Sequence, residues 1–164
     1  MLGSIASFII ASTMATQPES LAVDLEEYVC MVRAVHFEAE GESKSGKQAV
    51  ANVILNRVKS SKFPNTICGV IEQGQTHANG VPKKNKCHFS WYCDGKSDDI
   101  KIKNKPQRNS FEETALIAFK VVNGELGDIT YGANHYYAHD KVTPYWKSDK
   151  DITIVVDNHT FVKL

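Results

Sequence analysis

Apolar residues recur at helical spacing in three long stretches of the chain and alternate with polar ones near its end, and this pattern predicts most of the elements. Leu25, Tyr28, Val29, Val32, Val35 and His36 put one face of a helix from about Leu25 to Ala39 in the interior. Gly41 is expected to end that helix in the left-handed conformation, which a residue without Cβ adopts at no steric cost. Ser43 or Ser45 caps a second helix reaching about Lys59, with Ala49, Val50, Val53, Ile54 and Val58 on its inner face and Asn52 and Asn56 on its flank. Phe63-Pro64-Asn65 breaks it, and Thr66 to Glu72 reads as a short apolar turn of helix. Phe111, Ala115, Ala118, Phe119 and Val122 mark a third long helical face, stopped at Asn123-Gly124. The β-branched residues on either side of Asp157-Asn158 predict a terminal hairpin. Residues 73–86 and 96–108, polar and rich in lysine, read as loops.

Length and charge narrow the picture. A chain of 164 residues builds one domain with a proper core. Lys plus Arg balances Asp plus Glu at 19 each, so no overall field draws in nucleic acid or an anionic membrane, and neither is an expected partner. Residues 1–16 are apolar and small, and Thr13-Met14-Ala15 resembles a signal-peptidase site, although no Lys or Arg precedes Arg33. The apolar run is shorter than the ~20 residues of a membrane-spanning helix, so no stable span is expected. Residues 1–20 are therefore expected to be an export signal or weak anchor with its linker, and 21–164 the folded domain. Cys30, Cys68, Cys87 and Cys93 are an even number with three possible pairings, and an oxidising compartment would close two bridges. They contain no CxxC pair of the kind zinc sites use. Leader and cysteines together predict the periplasm or cell envelope.

The stretch Val35-His-Phe-Glu-Ala-Glu-Gly-Glu42 carries the candidate chemistry. Glu38 falls in the last turn of its helix, at the negative end of the helix dipole, and Glu40 and Glu42 add like charge. Each effect disfavours ionisation, and with some desolvation the carboxyl pKa rises towards about 6, where a general acid works near neutral pH. Cys87-His-Phe-Ser-Trp-Tyr-Cys-Asp-Gly95 places aromatic residues between two cysteines. A Cys87 to Cys93 bridge would hold Phe89, Trp91 and Tyr92 as rigid faces for sugar rings, and the alternative is a strand packing its core. His135 and His139 are four apart, as metal ligands on a helix can be, but their aromatic, β-prone surroundings favour strand or loop, and no metal or other cofactor is expected.

Five blocks in order resemble the SleB-type cell wall hydrolases, the family of spore-cortex-lytic enzymes and related bacterial and phage endolysins. They are Arg33 to Glu42, Gly46 to Val58, Phe63 to Ile71, Cys87 to Gly95, and Asn134 to Ala138 with Pro144-Tyr145-Trp146. The resemblance covers about Cys30 to Phe161 and implies a single lysozyme-like α+β domain, helical in its N-terminal part with a small antiparallel sheet or hairpin, that cuts the glycan strands of peptidoglycan. It also implies that Glu38, the first Glu of the family's Glu-Ala-x-Gly-Glu motif, is the catalytic acid. The family usually has Arg where this chain has Glu40, which predicts a higher pKa for Glu38 than an Arg neighbour would give.

Hydrolysis of a glycosidic bond generally uses two carboxyl groups, whereas a lytic transglycosylase needs one acid, which afterwards takes a proton from the muramic acid hydroxymethyl group. The reading adopted is a monomeric lytic transglycosylase acting between N-acetylmuramic acid and N-acetylglucosamine through Glu38. Glu42 and Asn56 would hold the local geometry, and Phe89, Ser90, Trp91, His135, Tyr136 and Tyr137 would line the glycan groove. Two alternatives are an N-acetylmuramoyl-L-alanine amidase with zinc held by His135, His139 and a carboxylate, and a non-catalytic peptidoglycan-binding module.

Overall fold

The computed structural model describes residues 24–164. The expected leader and linker lie outside the described residues. Helix α1 spans Leu25–Ala39, α2 Lys44–Val58 and α3 Ile67–Glu72. Strands β1 (Gly74–Thr76) and β2 (Pro82–Cys87) lead into a short 3-10 turn at Ser90–Cys93. Helix α4 covers Lys105–Val122, and β3 (His135–Ala138), β4 (Ile152–Val156) and β5 (His159–Val162) finish the chain.

Each helix begins on a side-chain cap that answers its orphan N–H groups. The Asp24 carboxylate accepts from Glu26 N at 2.9 Å, Ser43 Oγ from Gly46 N at 3.2 Å, Thr66 Oγ1 from Gly69 N at 3.0 Å and Asn104 Oδ1 from Gln107 N at 2.9 Å. The inner faces of α1, α2 and α4 then close on one another around Met31, Val35, Val50, Ile54, Ala118 and Val121, all fully buried. Phe161, from the middle of the C-terminal sheet, completes this core. The sheet is antiparallel in the order β3-β5-β4, so the last strand of the chain lies between the other two. Asp157, at φ +48°, makes the tight turn of the expected terminal hairpin. Two disulfides, Cys30–Cys68 and Cys87–Cys93, use all four cysteines.

Three expectations are corrected. Gly41 is not left-handed: α1 closes through the right-handed Glu40, and Glu42 N donates to Ala39 O at 3.1 Å, a turn short enough for Ser43 to start α2 directly. Residues 73–86 are not a loop but the antiparallel β1-β2 hairpin. Its residues are exposed or half-buried, so no apolar alternation announces it. Helix α4 starts at Lys105, inside the stretch read as loop, because its first turn is solvated and capped rather than packed.

Candidate active site

Glu38 projects from the last turn of α1 into a pocket of side chains brought from three other elements. From β3, Tyr136 donates its hydroxyl to Glu38 Oε2 at 2.9 Å. From α2, the buried guanidinium of Arg57 acts on the same carboxyl by its charge. From the 3-10 turn, the indole N–H of Trp91 is directed at Glu38 too, yet this buried nitrogen finds no partner at hydrogen-bonding geometry. Burial raises the pKa of Glu38 and outweighs the Tyr136, Arg57 and Trp91 effects, which lower it. The direction is the expected one, but the cause differs: burial drives it, and neither Glu40 nor Glu42 is among the charges that act on Glu38. Glu40 bears instead on His36.

Arg57, next to Asn56, has no role among the expected site residues. It is 7% exposed, donates through Nε to Asn134 O at 2.7 Å, and lies over the rings of Phe63 and Phe89 at 5.3 and 5.5 Å. A buried cation clamped in this way is pre-positioned and costs no reordering when the carboxyl ionises. One signal marked it, since Arg57 continues the inward stripe of Val50, Val53 and Ile54 at helical spacing, where a charge is out of place. Lys47 sits on the same helix, only 2% exposed, and its ammonium reaches Glu113 Oε1 at 2.9 Å and Ser110 Oγ at 3.0 Å. Ser110 Oγ in turn donates to Glu40 O at 2.7 Å, which fixes the end of α1 that carries Glu38.

The expected supporting residues lie around this centre rather than on it. The Glu42 carboxylate faces the β4-β5 turn, accepting from Asn158 N and Nδ2 at 3.4 Å each and lying 3.8 Å from His159 Nδ1. Asn56 turns away from the acid: its Nδ2 donates to Asp128 Oδ2, Thr130 Oγ1 and Ala133 O at 3.0, 3.2 and 2.9 Å. It thereby fastens the segment leading into β3. Phe89, expected in the groove, is 1% exposed and belongs to the core beneath Arg57, so it cannot meet a ligand. The aromatic block is a 3-10 turn rather than a strand, so its rings do not alternate between two faces. Ser90 is exposed, and Trp91 stacks on Phe37 at 4.8 Å.

Strand β3 divides its residues between two faces. Tyr136 points inward to Glu38, whereas His135 and Tyr137 meet Trp146 at 5.4 and 6.0 Å, and Phe63 closes on His135 at 6.1 Å. These rings form a second aromatic wall. Burial, with the Arg57 charge nearby, lowers the His135 pKa to about 4, so its ring is neutral near pH 7. His139 lies just past the same strand and bonds Thr160 Oγ1 at 3.2 Å. Four extended residues span ~13 Å, which keeps the two histidines from sharing one ion.

The cell wall hydrolase profile matches residues 41–162, most of the chain. This chain belongs to the cell wall hydrolase family. It is 58% identical over 134 residues to the spore cortex-lytic enzyme of Bacillus cereus, covering 81% of this chain and 42% of that protein. A second spore cortex-lytic enzyme, from Halalkalibacterium halodurans, is 34% identical over 117 residues, 71% of this chain and 28% of that one. The chain thus spans less than half the length of the curated relatives it matches. Among solved structures, the catalytic domain of the germination-specific lytic transglycosylase SleB from Bacillus anthracis superposes with a TM-score of 0.60 at 28% identity, covering 87% of this chain and 98% of that domain. The α+β, lysozyme-like architecture is therefore the one expected, and in this cell wall hydrolase Glu38, Tyr136, Arg57 and Trp91 meet inside it.

Proposed function

We propose that this cell wall hydrolase cleaves the glycan strands of peptidoglycan as a lytic transglycosylase, with Glu38 as its one acid and base. The observation that carries the reading is one half-buried carboxyl whose pKa is raised by burial, faced by a phenol and a guanidinium that favour its ionised form. Glu38 gives its proton to the glycosidic oxygen as the bond to the muramic acid C1 breaks. Tyr136 and Arg57 stabilise the resulting carboxylate. That carboxylate then takes the proton of the muramic acid C6 hydroxyl while its oxygen bonds to C1, which closes a 1,6-anhydro ring and returns Glu38 to its starting form. No water is consumed. Glu42, tied to the terminal hairpin, holds the end of α1 against the sheet, and Asn56 holds the approach to β3. Trp91, Ser90, His135 and Tyr137 offer the groove surface on either side of the acid.

The membership of the family and the SleB likeness support an activity on the wall, outside the cytoplasm, and the two disulfides suit an oxidising envelope. No described helix is long and apolar enough to cross a membrane. Muropeptide mass spectrometry of digested peptidoglycan tests the mechanism. Transglycosylation gives fragments one water lighter than hydrolysis would, and Glu38→Gln is expected to lower the rate at least a hundredfold. Reducing-end fragments, released equally fast by Glu38→Gln, would remove both the role and the mechanism.

A further inference from the structure

The β1-β2 hairpin has no part in the chemistry above, yet it carries Lys83, Lys84 and Lys86 and no acid. Residues 81–108 hold eight Lys and Arg against three Asp in a chain that is neutral overall. The acids in that stretch are already engaged: Asp94 lies 3.7 Å from Lys96 Nζ, Asp98 lies 3.7 Å from the Arg33 guanidinium, and Asp99 accepts from Ser97 Oγ at 2.7 Å. Lys83, Lys84 and Lys86 of β2 form no ion pair among the described residues. Lys84 and Lys86 are exposed.

The hairpin is also fixed in place relative to Glu38. Cys87, the last residue of β2, is bonded to Cys93 at the end of the 3-10 turn that carries Trp91. At Gly74, a Cβ would come within 2.7 Å of Cys87 Cα, so β1 and β2 meet there without room for a side chain. The Lys84 stem lies over Gly95, just beyond the turn. The disulfide thus ties the end of this cationic strand to the turn that carries Trp91.

We propose that Lys83, Lys84 and Lys86 bind the free carboxylates of the peptide stems, so that the protein recognises peptidoglycan whose stems are intact and anionic. This rests on the glycan-cleaving reading, because the stem hangs from the lactyl group of the sugar that Glu38 acts on. The neutral total charge gives no long-range field to draw in nucleic acid or a lipid surface, which leaves these lysines a short-range role.

Binding, which does not require turnover, is the test. Glu38→Gln protein, unable to digest its target on this reading, is sedimented with native sacculi and with sacculi whose stem carboxylates have been converted to amides. The triple substitution Lys83→Gln, Lys84→Gln, Lys86→Gln is expected to weaken binding to native sacculi roughly five- to tenfold, with a shallower salt dependence, and to leave binding to amidated sacculi unchanged. The charge-preserving Lys→Arg triple is expected to bind native sacculi as the parent does, which separates lost charge from a disturbed hairpin. Equal binding of native and amidated sacculi by the parent, or an equal loss on both with the Gln triple, overturns the proposal. Failure of the glycan-cleaving reading would show separately, as anhydro fragments that never appear with the wild-type protein.

Discussion

A carboxyl group that must hold a proton until the substrate arrives, and then part with it, needs an environment that opposes ionisation without forbidding it. On the proposed mechanism Glu38 meets both needs: burial raises its pKa, while Tyr136 and Arg57 limit the cost of its anion. Removing the phenol donor with Tyr136→Phe therefore raises the Glu38 pKa further. The pH profile of kcat/KM checks this: the fall in rate on the alkaline side, where Glu38 loses its proton, is expected at higher pH in the variant, with a maximum about tenfold lower for the lost charged hydrogen bond. The same raised pKa carries a stability consequence. Because the folded protein holds this proton more tightly than the unfolded chain, stability is lost as pH rises from the unfolded pKa through the folded one. Glu38→Gln escapes that loss, so its Tm advantage over the wild type should be small at pH 4 and larger at pH 8. An advantage that does not grow with pH would contradict the burial of the charge. At this scale the sequence singled out Glu38 and the direction of its shift, but attached the shift to Glu40 and Glu42. Those neighbours are close along the chain and turned elsewhere in space, whereas Tyr136 and Arg57 arrive from distant segments.

Elements with one buried face were legible, and elements with none were not. Helices α1, α2 and α4 and the terminal hairpin each present an apolar stripe of the right period, while β1-β2 is held by a disulfide and a glycine contact that leave no periodic mark. The aromatic block is ambiguous in sequence because its rings part company: Phe89 supports Arg57 from inside, whereas Trp91 is half-buried and directs its indole at Glu38. That division predicts different phenotypes. Phe89→Ala should destabilise the fold by about 3–5 kcal/mol in a denaturant titration, whereas Trp91→Ala, at the rim, should chiefly raise KM. The junction between α2 and the last hairpin is similarly tight. A Cβ on Gly46 would collide with the Asp157 carboxylate and approach Glu42 Cβ to 2.7 Å, and Asp157 Oδ2 also accepts from Ser43 N at 2.9 Å. Gly46→Ala should therefore cost about 1–3 kcal/mol despite the better helix propensity of alanine.

Across the whole molecule, the two disulfides are expected to divide stability from function, since one closes a long loop at the N-terminal half of α1 and the other a short one at the turn that carries Trp91. Cys30–Cys68 joins α1 to α3 across 38 residues of sequence, where the Glu27 carboxylate also accepts from the Ile67 and Cys68 amides. Loop closure of that length is worth ~4 kcal/mol in the chain-entropy account. Cys87–Cys93 closes only six residues and is worth ~2 kcal/mol on the same account, but it holds the turn that presents Trp91 to Glu38. The Cys30→Ser, Cys68→Ser variant is therefore expected to show the larger drop in denaturant midpoint while keeping most of its activity at 25 °C. The Cys87→Ser, Cys93→Ser variant should lose less stability and more activity, with the loss in KM because the groove wall is loosened while the acid keeps its surroundings. The reverse order, with the short loop dominating the midpoint and the long one the KM, would mean that the aromatic turn is held by core packing of Phe89 and not by its covalent tie to β2.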